Sequence, residues 1–132
     1  MTMLDGVHPQ LVAKAARILN AMDSLGFAMK VTDGLRTAEQ QAALYAKGRT
    51  TPGPIVTNCN GTTTVSNHQI KRDGWGHAVD CCFVVDGKPS WDDALPWALY
   101  GAMARTLGLR WGGDWVHPDR PHIELPDGEL NA

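Results

Sequence analysis

The chain has 132 residues, the size of one domain long enough to bury its own core. Its 43% hydrophobic and 20% charged residues exclude a disordered chain, a collagen-like chain and a coiled coil. A net charge of −2 speaks against a dedicated nucleic-acid binder, and no apolar run approaches the ~18 residues of a membrane span. The three cysteines, two of them adjacent at Cys81 and Cys82, do not make a disulfide framework. Met1-Thr2-Met3-Leu4-Asp5-Gly6 has neither the basic nor the apolar region of a secretory leader, so synthesis in a reducing cytosol is expected. Residues 1–132 are expected to form a single domain.

In chain order, Leu11, Val12, Ala15, Ile18, Leu19 and Met22 recur at helical spacing, which predicts a helix from Pro9 to about Leu25. Pro9 suits its first turn and Gly26 its C-terminal cap. His8, at the helix start, is expected to be exposed. A strand over 28–32 leads into Asp33-Gly34-Leu35-Arg36. Thr37 with Gln40 makes a capping box for a second helix, whose apolar face would be Leu44 and Tyr45 and which Gly48 ends. From Arg49 to Gly76 the chain is rich in Gly, Pro, Thr and Asn. It reads as a long loop, or two loops around a short strand at 55–57. AVDCCFVV over 78–85 is apolar on both faces, the pattern of a strand covered on both sides. After the turn signal Asp86-Gly87, Ser90 is expected to cap a third helix over 91–107, with Pro96 near its first turn. Two short strands follow, over 109–111 and 122–125. The order predicts an α+β fold, with helices packed on a small antiparallel sheet.

Asp80 interrupts the most apolar strand of the chain. A buried carboxylate is unfavourable unless it is paired or bound to a metal. His68 lies in the loop before that strand, and His122 on the last strand. Together with Asp80 they make a two-His, one-carboxylate set, the kind that catalytic zinc uses with a fourth position left to water. His77 competes for such a role, but it stands three residues from Asp80, and side chains along a strand alternate faces. His117, followed by Pro118, has no direction that the sequence fixes. Glu124, two residues beyond His122, is expected on the same strand face, either behind the metal or exposed. A buried salt bridge remains the plain alternative for Asp80.

These pieces carry a resemblance. Asp33-Gly34-Leu35-Arg36-Thr37, Gln40-Gln41, Leu44-Tyr45, Gly48-Arg49-Thr50, Ser66-x-His68, Gly76-x-Ala78-x-Asp80, Trp111-Gly112-Gly113-Asp114-Trp115 and Asp119-x-x-His122 stand in an order similar to the M15 zinc peptidases. These include the D-alanyl-D-alanine carboxypeptidases and the phage L-alanyl-D-glutamate endolysins, and Gly6-Val7-His8-Pro9 resembles the endolysin branch. The resemblance implies the DD-peptidase/Hedgehog-like fold, with His68, Asp80 and His122 as zinc ligands. It also implies Asp119 as the catalytic carboxylate and Arg36 as the arginine that stabilises the substrate carbonyl. The family spacing places seven residues from histidine to aspartate. Here five more lie between His68 and Asp80, within 69–76, and Asp73 stands where the family has its histidine. Asp73 therefore stays open as an alternative.

The implied activity is zinc-dependent hydrolysis of a peptide bond in the peptidoglycan stem peptide, L-Ala–D-Glu first, in phage-type lysis. Ser66 and Trp115 are further candidates for substrate contact. D-Ala-D-Ala carboxypeptidase activity is the near alternative, and a metal-stabilised wall-binding module without turnover the distant one. The expected partner is the stem peptide alone, with no nucleic acid and no membrane insertion. The protein would be a monomer with no separate wall-binding domain. It would be made in the host cytoplasm and reach the wall through holin lesions.

Overall fold

The structure, a computed structural model, describes residues 3–126. Met1 and Thr2 of the leader reading, and the last six residues of the expected single domain, lie outside the described residues.

Helix α1 spans Pro9–Ser24 and buries Leu11, Ala15, Ile18 and Met22, one stripe at helical spacing. Its cap is His8, whose Nδ1 accepts a hydrogen bond from the backbone N–H of Gln10 at 3.1 Å. His8 is therefore a half-buried cap rather than the exposed residue expected. Strand β1 spans Met29–Asp33, and helix α2 spans Ala38–Ala46. The capping box forms in full: Thr37 Oγ1 accepts from Gln40 N–H, and Gln40 Oε1 accepts from Thr37 N–H. The buried residue of α2 is Gln41, however, and Leu44 and Tyr45 are only half-buried.

No strand forms between α2 and β2, which spans Ala78–Val85. Ile55 and Val56 are exposed, so the short strand expected there is absent. Polar side chains organise this long loop instead. Gln41 Nε2 donates to Thr57 Oγ1 and to the Cys59 carbonyl, and Gln69 Nε2 donates to the Gly61 carbonyl. Asn60 Oδ1 accepts from the backbone N–H groups of Thr62, Thr63 and Thr64.

After Asp86-Gly87 the chain turns back as β3, Lys88–Ser90, which pairs with β2. Helix α3 spans Trp97–Thr106 and so starts six residues later than expected. Ser90 ends β3 and accepts from Asp92 N–H, while Asp92 Oδ1 accepts from Ala94 N–H in a turn of its own. Pro96 then sets the boundary, because it disfavours a helical conformation at Leu95. Strands β4, Arg110–Trp111, and β5, His122–Glu124, complete the sheet, with a 3-10 turn at Gly112–Asp114 between them.

All strand pairings within the sheet are antiparallel, in the order β1-β2-β5-β4, with β3 on β2. The fold is the α+β arrangement expected from the element order. Phe83, Trp97, Tyr100, Ile123 and the α1 stripe form one core. Strand β2 is central, and Asp80 is registered against Asp33 on one side and His122 on the other. An irregularity in β1 between Val31 and Asp33 turns the chain end toward this point.

The segment before β5 is held from three directions. Tyr100 Oη donates to the Pro121 carbonyl at 2.8 Å, Cys81 N–H donates to the same oxygen, and Trp111 Nε1 donates to the Arg120 carbonyl at 2.7 Å. Gly112 lets this segment approach closely, since a Cβ there would lie 2.2 Å from the Asp119 carbonyl oxygen. Gly112→Ala must displace the backbone of Asp119. The expected cost is about 1–3 kcal/mol, read as a lower thermal midpoint. An unaltered midpoint would contradict the tight seating of this segment.

Candidate active site

Three side chains converge where β2, β5 and the long loop meet. His68 Nε2 lies 3.2 Å from His122 Nδ1 and 3.4 Å from Asp80 Oδ1, and His122 Nδ1 lies 3.3 Å from Asp80 Oδ1. A tetrahedral ion with ligand bonds of ~2.0–2.1 Å has ligand–ligand edges of about 3.3–3.4 Å. The triangle therefore has the dimensions of one face of such a site. Asp80 Oδ1 is buried and makes no well-formed hydrogen bond, which is unfavourable unless a cation satisfies it. Among the described residues this is the one His/Cys/Asp/Glu group close enough to hold a metal ion.

The imidazoles are turned by their outer nitrogens. His68 Nδ1 lies 2.8 Å from the Gly34 carbonyl, which only accepts, so Nδ1 carries the proton and Nε2 presents its lone pair. His122 Nε2 lies 2.6 Å from Glu124 Oε1, and Glu124 is buried. Asn67 Nδ2 donates to Glu124 Oε2 at 2.7 Å. Glu124 thus shares the His122 face, as strand alternation requires, and stands behind the ring. A carboxylate behind a ligating histidine fixes its tautomer and raises its basicity.

The electrostatics separate the two carboxylates. Burial opposes ionisation of Asp80, but the close approach of His122 and His68 outweighs it and holds the carboxyl well below the usual range. Burial likewise opposes charging of His122, yet Asp80 and Glu124 push its pKa up to about 9. Asp119 moves the other way, because partial burial and the neighbouring Asp80 charge raise it. Its Oδ2 lies 3.9 Å from His122 Nδ1, and its side chain is half exposed. Two carboxylates with pKa values pushed apart carry different roles.

Arg36 holds the far side of Asp80. Its Nη2 lies 3.4 Å from Asp80 Oδ2, its Nε donates to Asp33 Oδ2 at 2.6 Å, and its Nη1 donates to Gln41 Oε1 at 3.1 Å. One guanidinium thus bridges two aspartates that face each other across β1 and β2, where like charges otherwise repel. Arg36 is less free than a residue reserved for substrate. Trp115 is 40% exposed, with its ring centroid 4.8 Å from that of His122, at the rim of the site.

The other candidates lie elsewhere. Ser66 is buried, and its Oγ accepts from His68 N–H, so it shapes the ligand loop instead of facing an open groove. Asp73 is not in the site, since its carboxylate lies 2.8–2.9 Å from His77 Nε2. His77 therefore points away from Asp80, in keeping with strand alternation, and the extra residues after His68 fold back onto His77 and His8. His117 is exposed and outside the cluster. Cys82 is buried in the core, and burial, first of all, pushes the Cys81 thiol up to about 12. Sequence reasoning missed the positioning roles of Gln41 and Asn67. A polar residue midway along a short helix was the available signal for Gln41.

The family model described as D-alanyl-D-alanine carboxypeptidase of the M15 group matches residues 60–125, half of the chain. The peptidoglycan L-alanyl-D-glutamate endopeptidase CwlK of Bacillus subtilis is 31% identical over 136 aligned positions, covering 95% of this chain and 77% of that protein. The chain belongs to the M15 peptidase family. The matched stretch contains His68, Asp80, Asp119 and His122, so the M15 model spans the whole triangle and its neighbouring carboxylate. The crystal structure of the Serratia marcescens L-Ala D-Glu endopeptidase ChiX superposes on this M15 peptidase with a TM-score of 0.66 and 25% identity. The match covers 98% of this chain and 87% of that one. The L-alanyl-D-glutamate peptidase of Listeria phage A118 is 30% identical over 86% of the chain, which spans 36% of that protein's length.

Before a cation binds, His122 keeps its Nδ1 proton up to a pH of about 9, so binding must release that proton. Apparent zinc affinity is expected to rise about tenfold per pH unit from 7 to 9 and then level off. Glu124→Gln should lower the affinity about 10–100-fold and move the break to lower pH. Competition against a chromophoric chelator reads both, and a flat profile would contradict the coupling.

Proposed function

We propose that this M15 peptidase hydrolyses the L-Ala–D-Glu bond of the peptidoglycan stem peptide, with zinc held by His68, Asp80 and His122. The observation that carries the reading is the ligand triangle with Asp119 beside it, in a chain 31% identical to an L-alanyl-D-glutamate endopeptidase.

When bound, zinc would acidify a coordinated water and polarise the scissile carbonyl. The remaining chemistry belongs to the chain's own residues. Asp119 takes the proton of the attacking water and returns it to the leaving amine, and its raised pKa brings it closer to the range of a working acid and base. Asp80, held ionised, supplies the negative charge that keeps a cation seated. Arg36 fixes Asp80 from behind and offers a remaining Nη1 N–H to the carbonyl oxygen, where charge develops. Trp115 shields the rim beside His122 and restricts water there. A role in phage-type lysis is part of the proposal, supported by the similarity to the Listeria phage peptidase.

Purified peptidoglycan digested by the zinc-loaded protein should yield new L-Ala carboxyl and D-Glu amino termini by mass spectrometry, and none with chelator present. Release of terminal D-Ala alone would instead establish the carboxypeptidase reading that the family description suggests. Asp119→Asn should keep zinc and thermal stability while kcat falls at least ~100-fold. Retained activity in that variant would remove Asp119 from the proton path.

A further inference from the structure

Beside the metal triangle, and sharing Asp119 with it, lies a concavity of about 360 Å³. That is the size of a small-ligand site. Trp97 lines it, is almost wholly buried, and donates its Nε1 proton to the Asp92 carbonyl, so what the ring contributes is apolar. Its walls are Pro118, Pro121 and Trp91. Trp91 is 52% exposed, a large apolar ring left open to water at the mouth. The lining also holds Asp93 and Arg120, paired at 3.0 Å and both open to solvent.

The charge of the lining narrows the occupant. Asp93 and Asp119 set two carboxylates against the single guanidinium of Arg120, a net charge of −1. A stem-peptide segment rich in free carboxylates is repelled there. A saccharide ring is neutral and has an apolar C–H face for the indole and ring hydroxyls for the Arg120–Asp93 pair. The covalent structure of the substrate agrees. In peptidoglycan the stem peptide joins its glycan through the L-Ala nitrogen, so one residue, ~3.5 Å of chain, separates the sugar's lactyl group from an L-Ala–D-Glu bond. Asp119 lines both the cavity and the metal site, which are therefore one residue apart. For a D-Ala–D-Ala bond about four residues, ~13 Å, would intervene.

We propose that the cavity walled by Trp91, Trp97, Pro118 and Pro121 is a saccharide subsite that receives the N-acetylmuramyl unit of the glycan strand. The protein thereby selects stem peptides still attached to glycan. The proposal rests on the peptidoglycan reading above and deepens it.

The test compares a disaccharide-bearing muropeptide with the free peptide of the same sequence, using the zinc-loaded protein. The kcat/KM for the glycosylated substrate should exceed that for the free peptide by about tenfold, chiefly through KM. Trp91→Ala should bring that ratio toward one, and Trp91→Phe, which keeps a stacking face, should restore most of it. A wild-type ratio near one, or a ratio unaltered in Trp91→Ala, overturns the subsite. If neither substrate is cleaved, the peptidoglycan reading fails separately. The cavity is then tested by NMR titration with N,N′-diacetylchitobiose. Saturable shifts of the Trp91 and Trp97 indole N–H signals at millimolar sugar, lost in Trp91→Ala for Trp97, support the subsite. The absence of such shifts overturns it.

Discussion

A carboxylate in the middle of a buried strand has to be neutralised, and much of this structure follows from how Asp80 is. One oxygen faces Arg36, and the other faces two imidazoles at the edge length of a tetrahedral metal site. Each of these partners needs its own support. Arg36 is locked by Asp33 and by Gln41, the one buried residue of α2. His68 is turned by the Gly34 carbonyl, and His122 by Glu124, which Asn67 holds in turn. The polar loop between α2 and β2 is therefore structural in a specific sense, since it carries His68 and Asn67 to the sheet at the right height.

Asp119 gains its distinct character from the same arrangement. It sits on a backbone segment pinned by Tyr100 and Trp111 and seated against Gly112, while its carboxylate is half exposed beside His122. Burial and then the nearby Asp80 charge raise its pKa, whereas at Asp80 the two histidines outweigh burial and depress it. Two aspartates that both approach His122 Nδ1 are thus pushed in opposite directions, separated by environment and not by residue type, as the proposed roles of ligand and proton carrier require.

What was legible in the sequence follows period and local chemistry. The α1 stripe, the Thr37 capping box and the apolar β2 run all formed where pattern placed them. Strand alternation also carried information about the site, since it put His77 and Asp80 on opposite faces and His122 with Glu124 on one. The misplaced features each depended on something nonlocal or on competing turns. The start of α3 moved to Trp97 because Ser90 joins a hairpin and Asp92 makes its own turn before Pro96. Ile55 and Val56 have strand-forming side chains but no strand beside them to pair with. The five extra residues after His68 are accommodated because Asp73 turns onto His77, four residues on, and onto His8, and the contact with His8 joins segments far apart in sequence. Gln41 and Asn67 act through tertiary hydrogen bonds, which leave no periodic trace, and Ser66 through a local bond inside an irregular loop.

On the proposed reading, two imidazoles and one carboxylate hold a zinc ion and leave one position open. Zinc K-edge X-ray absorption on the loaded protein reads that ligand set. A first shell of two imidazole nitrogens and two oxygens at about 2.0–2.1 Å is expected. A sulfur shell at about 2.3 Å, or a third imidazole drawn from His77 or His117, would contradict it.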